Sequence, residues 1–531
     1  MQRRTRTHRG ALIALLAGGM LLTGCGGGTS SETSADKATG SGGPRGGQPA
    51  PAAPSSAPEQ REDGAQRKED GDAREVAPPD YLSTFALDVD TAGYGYARRL
   101  LGDGKLPPAD VVRPEEFVNS FRQGYQRPKG NGFSVTVDGT KAASGAGDWS
   151  LVRVGLATGT ADDTGERPPA ALTFVVDISG SMAEPGRLDL AKKSLGILTD
   201  ELRDDDSVSL VTFSGEAETR LEMTRLGGNR TEIRDAVDEL EPADSTNVAA
   251  GVERGYDEAV KGHRKGATNR VVLLSDALAN TGETDADAIL ERIGDAREEY
   301  GITLFGVGVG SDYGDALMER LTNKGDGNTT YIGDESQARK VFVDQLPAHV
   351  QLRARDAKAQ VAFDRKTVQQ FRLIGYENRK VADEDFRDDS VDGGEVGPGH
   401  TVTALYAVRL RDGASGHVAT ATVRWLDPKT REAHEETGAV ETGAVDGTLW
   451  GGENTRLQVT AVAAYFADSL RGGDLPGTPA LGELARQARK LAASTEDSSV
   501  EKLATAIEQA DRIKGGGGDE PQGGEGEGEV G

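Results

Sequence analysis

The strongest constraint on this chain is a regular alternation of continuously apolar segments with amphipathic segments between residues 172 and 346. Apolar runs such as Leu172 to Val176 and Ile302 to Val309 show no polar alternation, which predicts strands that are buried on both faces. Between such runs, apolar residues recur at helical spacing, as in 188–202. This order predicts an α/β fold with a doubly wound, mostly parallel, Rossmann-like sheet. Such sheets bind ligands beyond the carboxyl ends of their strands.

The start of the chain predicts export and lipid attachment. Ala11 to Leu22 is a twelve-residue apolar run behind four arginines. It is shorter than the roughly 20 residues that cross a bilayer, and it fits a signal peptide. The following Leu22-Thr23-Gly24-Cys25 resembles the lipobox of bacterial lipoproteins. That resemblance implies lipidation of Cys25, the single cysteine of the chain; an ordinary signal peptide with a stray cysteine is the alternative.

Composition and local pattern predict the organisation of the rest of the chain. The segment after Cys25 is rich in Gly, Ser, Pro and charged residues and has almost no large apolar residues, so it predicts a disordered tether. The predicted regions are a signal peptide (1–24), a tether (25–80), a helix and strand region (81–167), the α/β domain (168–350), a strand-rich domain (351–450), a C-terminal helical domain (451–514) and a disordered acidic tail (515–531). We favour an arrangement in which residues 81–160 and 351–450 form one strand-rich unit.

Charge and cysteine content exclude several classes of function. A formal net charge of −26 disfavours nucleic acid, whose binding requires Lys and Arg to replace phosphate counterions. A single cysteine excludes an intrachain disulfide framework and any site with several cysteine ligands. We therefore expect membrane attachment through lipid rather than through electrostatic attraction.

A group of oxygen-bearing side chains marks the candidate site. Asp177, Ser179 and Ser181 follow the first predicted strand of the sheet, and Asp276 follows a later parallel strand. Thr246 lies between them, at the start of a predicted helix. Carboxylate and hydroxyl oxygens suit a hard divalent cation. We predict that these five residues bind Mg²⁺, with Mn²⁺ or Ca²⁺ as alternatives, and leave a coordination position for a partner.

This set of ligands on an α/β sheet resembles the metal-ion-dependent adhesion site of von Willebrand factor type A (vWA) domains. Four further motifs and the closing helical segment are similar to the YfbK-type bacterial vWA lipoproteins: Ser83 to Thr91, Leu106 to Pro108, Phe371 to Arg379, and Gly399 to Tyr406. Two positions depart from that pattern. The relatives usually have Gly where this chain has Ala277, and Gly-Gly-Ser-Thr where it has an acid, Asp244. Ala277 would be strained if its loop required a positive φ.

The resemblance implies a non-enzymatic, lipid-anchored protein on the extracytoplasmic face of the cell membrane. Such a protein would bind a partner that offers Asp or Glu to the metal. An envelope assembly or scaffold protein with a structural metal is the alternative. A metal-dependent hydrolase that uses Asp177 is a weaker hypothesis, because no motif ties a general base to the site.

Overall fold

The computed structural model describes residues 80–515, apart from 88–89, 131, 144–146, 161–166, 278, 311, 324, 326, 346–351, 390, 392 and 452–453. The predicted signal peptide, Cys25, the tether up to residue 79 and the tail from residue 516 lie outside the described residues. Within the described part of the chain, no helix has both the length and the apolar composition that crossing a bilayer requires.

The described residues form fifteen strands and eleven α-helices. The strands are β1 (Leu82–Ala86), β2 (Phe133–Lys141), β3 (Trp149–Thr158), β4 (Ala170–Asp177), β5 (Ser207–Phe213), β6 (Ala217–Arg225), β7 (Thr268–Ser275), β8 (Thr303–Gly308), β9 (Thr329–Tyr331), β10 (Ala354–Phe363), β11 (Val368–Ile374), β12 (Gly394–Val396), β13 (Thr401–Leu410), β14 (His417–Leu426) and β15 (Ala433–Glu441). The α-helices are α1 (Ala92–Gly102), α2 (Pro114–Asn119), α3 (Leu188–Glu201), α4 (Arg230–Asp238), α5 (Val248–Lys261), α6 (Ala286–Tyr300), α7 (Asp315–Asn323), α8 (Glu335–Arg339), α9 (Thr455–Arg471), α10 (Leu481–Thr495) and α11 (Ser498–Gly515).

The central sheet confirms the predicted mostly parallel α/β fold. Its six strands have the order β6-β5-β4-β7-β8-β9, and every neighbouring pair is parallel except β5 and β6. The antiparallel strand β6 lies at one edge of this sheet. Since β4 and β7 are adjacent and parallel, the residues that follow them meet at one edge of the sheet.

Helices cover both faces of this sheet, which explains why its strands are mostly apolar. Phe174 and Val176 of β4 belong to a core that includes residues of α3, α4 and α8. Val175, which points to the opposite face, belongs to a second core with residues of α5, α6 and α7. Thr173 within β4 is buried as well, and its hydroxyl accepts a hydrogen bond from the Ser209 hydroxyl at 2.9 Å.

The segments on either side of the α/β domain share two further sheets. One has the order β1-β10-β14-β15 with β12 added to β10, and the other has the order β11-β13-β3-β2. Strands from before and after the α/β domain pair in both sheets, β1 with β10 and β3 with β13. Residues from both sheets, including Val154 and Val361, form one apolar core. The strand-rich unit is therefore built from two distant parts of the sequence.

The three C-terminal helices pack against this strand-rich unit. Val462 and Phe466 of α9, with Leu503 of α11, share a core with Leu151 of β3 and Leu405 of β13. Alternate residues of β3 and β13 thus belong to two different cores, which gives these strands two buried faces.

Three strands were missed by sequence reasoning. No strand was predicted at residues 82–86, yet β1 pairs along its length with β10. No strand was predicted at β12 or β15. Most residues of β15 are exposed, and among the strands that the structure describes this edge strand pairs with β14 alone. An exposed edge strand has no buried face to impose an apolar alternation on its sequence.

Candidate metal centre

The candidate site lies where β4 and β7 end. Asp177 is the last residue of β4, and Ser179 and Ser181 follow in the next turn. Asp276 comes directly after the last residue of β7. Because these parallel strands are neighbours, the structure brings the two acids and the two serines to one edge of the sheet.

Asp177 organises the short-range hydrogen bonds of the site. Its Oδ1 accepts a hydrogen bond from the backbone N–H of Ser179 at 2.8 Å, and its Oδ2 accepts one from the Ser275 hydroxyl at 2.5 Å. The hydroxyls of Ser179 and Ser181 lie 3.1 Å apart. The Asp177 carboxylate thus connects the turn after β4 with the end of β7. The hydroxyl oxygens of Ser179 and Ser181 lie beside each other in that turn.

Thr246 is brought to the same edge by backbone hydrogen bonds between loops. Its N–H donates to Asn280 Oδ1 at 2.8 Å, and its carbonyl accepts from the N–H groups of Asn280 and Thr281 at 3.1 Å each. On the other side, the Ala243 N–H donates to the Ile178 carbonyl at 2.6 Å. The segment before α5 therefore connects the loop after β4 with the loop after β7, and Thr246 is buried between them.

Two residues beside the predicted ligands have left-handed backbone conformations. Ser245 has a φ of 67° and Ala277 a φ of 53°. The strain that the sequence predicted for Ala277 under a positive φ is therefore present, at a usual cost of about 1 kcal/mol for a residue with a Cβ. Asp244, the acid that departs from the pattern of the relatives, is exposed. It lies near Gly180, because a Cβ added to Gly180 would be 4.0 Å from Asp244 Oδ1.

Two buried carboxyl groups lie together at the site. Asp177 and Asp276 are both completely buried. Burial, reinforced by the charge of Asp276, raises the pKa of Asp177 to about 6, although the hydrogen bonds from Ser179 and Ser275 oppose this change. A cation would relieve the repulsion between the carboxylates.

Arg187 is the charged neighbour that the sequence did not reveal. Its Nη1 donates to Asp276 Oδ2 at 2.8 Å, and its Nη2 donates to Glu184 at 2.7 Å and Asp312 at 3.0 Å. The guanidinium is buried although it belongs to the residue that precedes α3. Neither spacing nor periodicity connects Arg187 with Asp276, 89 residues away, so the sequence carried no signal for this pair.

The donor set fits a hard divalent cation. Asp177 and Asp276 together carry two negative charges when ionised, and Arg187 supplies one positive charge, so the centre keeps a negative excess. The remaining predicted donors are hydroxyl oxygens, which Mg²⁺ accepts readily.

Two family models match most of the described chain. Residues 171–345 match the von Willebrand factor type A domain, and residues 349–513 match the model described as "Uncharacterized protein YfbK, C-terminal". Residues 61–151 match a third model, described as von Willebrand factor. Domains of the first type commonly bind a metal ion and often mediate protein–protein interactions.

Individual relatives match parts of this chain. YfbK of Escherichia coli strain K12 is 37% identical over 357 residues, which cover 65% of this chain and 61% of the relative. Human inter-alpha-trypsin inhibitor heavy chain H3 is 30% identical over 180 residues, which cover 32% of this chain and 20% of the relative. A solved von Willebrand factor type A structure from Catenulispora acidiphila covers 74% of this chain and 97% of its own, with a TM-score of 0.43 and 16% identity. The chain thus spans about three fifths of the YfbK sequence and less of the other curated relative.

Proposed function

Because the chain carries a von Willebrand factor type A domain followed by a C-terminal domain of the YfbK type, we propose that it binds a protein partner through Mg²⁺ at the cell surface. The observation that carries this proposal is the meeting of Asp177, Ser179 and Ser181 with Asp276 at the carboxyl edge of the sheet. Proteins with this domain are generally non-enzymatic, and the proposal includes no reaction.

The five predicted ligands have separate tasks in this proposal. Asp177 and Asp276 supply the charge that holds the ion, while Ser179, Ser181 and Thr246 supply neutral oxygens. Bound Mg²⁺, or Mn²⁺ or Ca²⁺ in its place, supplies a positive charge that attracts a carboxylate of the partner. Because few of the protein ligands are charged, the metal keeps much of its positive charge and attracts that carboxylate strongly. Asp244, exposed beside the site, disfavours partners with additional acids around the binding carboxylate.

The first experiment measures the affinity of the protein for the metal ion in the absence of a partner. Titration calorimetry with Mg²⁺ and Mn²⁺ on the full chain should show one binding event. Asp177→Asn, which keeps the shape and removes the charge, should weaken it at least about tenfold, since a carboxylate ligand is lost. Asp244→Asn removes an equal charge from an exposed neighbour and should change the affinity less than about threefold. Equal losses in both variants would contradict the proposed ligand set.

The second experiment tests capture of a partner. Proteins retained from envelope extracts by the immobilised chain are compared in Mg²⁺ and in EDTA, for the wild type and for Asp177→Asn. The proposal requires a partner that is lost both in EDTA and in the variant. A partner that is retained under both conditions would contradict metal-mediated capture and favour the alternative, an envelope scaffold role with a structural metal.

The placement of the chain is part of the same proposal. Lipidation of Cys25 would hold the protein at the extracytoplasmic face of the membrane, with the residues up to 80 as a tether. Cys25→Ser should move the protein from the membrane fraction to the soluble fraction, and it should abolish incorporation of labelled palmitate. A protein that stays in the membrane fraction after this substitution would refute lipid anchoring through Cys25.

A further inference from the structure

A cleft of about 1010 Å³ lies at the edge of the α/β sheet opposite to the candidate metal centre. Thr268 and Thr303, the first residues of β7 and β8, line one side of it. The other side is lined by the start of β10, by Glu395 of β12 and by the turn after β14. The cleft is therefore formed jointly by the α/β domain and the strand-rich unit.

The lining of this cleft is basic, in contrast to the rest of the protein. Seven Lys and Arg side chains line it against three Asp and Glu side chains, and Asp206, outside the lining, pairs with Arg167, which leaves an excess of three positive charges, whereas the whole chain has a formal net charge of −26. Lys265 and Lys429 on the rim are exposed, and neither forms an ion pair with any acid that the structure describes. A concave surface of one charge sign concentrates ions of the opposite sign.

The deepest of these cations is incompletely compensated. Arg270 is 2% exposed; its Nε donates to Thr303 Oγ1 at 2.8 Å, and its Nη2 lies 3.5 Å from Glu395 Oε2. Its Nη1 is buried without a hydrogen-bond partner among the described residues. A buried guanidinium with an unsatisfied donor is costly, and an added acceptor would remove that cost.

A second arginine adds positive charge to the cleft. Arg355, at the start of β10, also lines the cleft, and its Nε is buried without a hydrogen-bond partner in the described part of the chain. Burial lowers the pKa of Arg270, and the positive charge of Arg355 adds to this effect while Glu395 opposes it. Two like charges in one cleft repel each other, and a single dianion can neutralise both.

We propose that this cleft binds a phosphate-bearing ligand, with Arg270 and Arg355 gripping phosphate oxygens and Lys265 and Lys429 attracting the ligand at the rim. A phosphate group carries close to two negative charges at neutral pH and accepts paired hydrogen bonds from guanidinium groups. A single carboxylate carries one charge and satisfies only one of the two arginines. The site lies at the opposite edge of the sheet from the metal ligands and does not rest on the function proposed for them.

The test uses tripolyphosphate as the soluble probe and the full chain at low salt. Titration calorimetry should detect binding by the wild type. Arg355→Gln should weaken it about tenfold, which is usual for the loss of one charge-assisted contact. The rim variant Lys265→Gln/Lys429→Gln should weaken it about threefold to fivefold. Its matched control, Lys105→Gln/Lys193→Gln, removes two exposed lysines outside the cleft and should change the affinity less than twofold.

A parallel experiment distinguishes the source of the phosphate. Sedimentation with vesicles of phosphatidylglycerol and of phosphatidylcholine measures headgroup binding as the excess in the anionic vesicles. An excess that disappears in the rim variant assigns the cleft to lipid headgroups, whereas tripolyphosphate binding without that excess assigns it to soluble phosphates. The proposal is overturned if the wild type binds neither probe, if the control pair loses as much affinity as the rim pair, or if polyglutamate binds more tightly than tripolyphosphate. The rim lysines are exposed, so this variant keeps the test valid if Arg355→Gln fails to fold.

Discussion

Replacing Arg187 with Met should make the stability of the protein depend on Mg²⁺ more strongly than in the wild type. The guanidinium of Arg187 donates to Asp276 Oδ2 at 2.8 Å, and both side chains are buried. Methionine keeps an apolar side chain in the space of the arginine stem but removes the charge. Asp276 is then left as a buried carboxylate without its cation, next to the carboxylate of Asp177.

The magnitude follows from this burial. Removing one partner of a buried ion pair usually costs about 3–5 kcal/mol in the free energy of unfolding, and we expect that loss in EDTA. A ligand at about 100 times its dissociation constant stabilises the native state by about 2.7 kcal/mol. In the wild type, part of the stabilisation by Mg²⁺ is offset because Mg²⁺ and Arg187 compete for the Asp276 carboxylate. Without that competition, the gain in Arg187→Met should be larger by at least about 1 kcal/mol, a conservative value for one charge-assisted hydrogen bond.

Urea unfolding followed by circular dichroism, in EDTA and in excess Mg²⁺, measures both quantities. Arg167→Met is the matched control, because Arg167 also pairs with a completely buried carboxylate, Asp206, at the opposite edge of the sheet. This control should be destabilised in EDTA but should gain no more from Mg²⁺ than the wild type does.

Three results would refute this reasoning. If Mg²⁺ stabilises Arg187→Met no more than the wild type, the metal and the guanidinium do not share Asp276. If Arg167→Met gains the same extra stability, the effect of Mg²⁺ is not local to the predicted ligands. A variant that is not destabilised at all in EDTA would show that Asp276 does not need the charge of Arg187.

Three further predictions concern single positions. Ala277→Gly should raise the free energy of unfolding by about 0.5–1 kcal/mol in urea titrations, because glycine removes the strain of a φ of 53°; a loss of stability would contradict this. Gly255→Ala would place its Cβ 2.3 Å from a methyl group of Val175 and should lower the free energy of unfolding by about 1–3 kcal/mol. Its control, Gly196→Ala in α3, meets open space and should raise that free energy by about 0.5–1 kcal/mol. Equal effects of the two substitutions would contradict the close packing of α5 on β4. Burial and a neighbouring guanidinium lower the pKa of His400 to about 4. As the pH falls from 6.5 towards 4, the imidazole of His400 is protonated in the unfolded chain but not in the folded protein, so the free energy of unfolding decreases. His400→Gln should remove about 2 kcal/mol of the difference in unfolding free energy between pH 7 and pH 5, and parallel curves for variant and wild type would contradict this.

The sequence predicted the α/β domain well because burial constrained it most. In β4, Val175 and Val176 belong to cores on opposite faces of the sheet, and strands buried on both faces are mostly apolar. The helices of this domain also follow from apolar periodicity, as in α5 with Val252 and Tyr256 buried. The edge strand β15 had no such constraint, since most of its residues are exposed.

The site was predictable only as far as short-range pattern reaches. Asp177, Ser179 and Ser181 form a recognisable motif, and Asp276 follows a strand whose position the sequence revealed. The side chain that shares Asp276, Arg187, comes from another segment and lies in a region without a distinguishing motif. Pairing over long sequence distances depends on how elements pack, and that information is not contained in local periodicity.

Contacts from outside the α/β domain also support the candidate metal centre. The Asp276 carbonyl accepts a hydrogen bond from the Gly314 N–H at 2.7 Å, and α7 begins at the next residue, Asp315. Arg113, from the N-terminal segment, donates to Asp315 Oδ2 at 2.6 Å and is also paired with Glu319 one turn later. Because these three side chains are buried, their charges fix α7 more firmly than exposed pairs would. The loop that carries Asp276 is therefore held through α7 by the segment that precedes the α/β domain, so the geometry of the candidate site belongs to the whole folded body rather than to residues 168–350 alone.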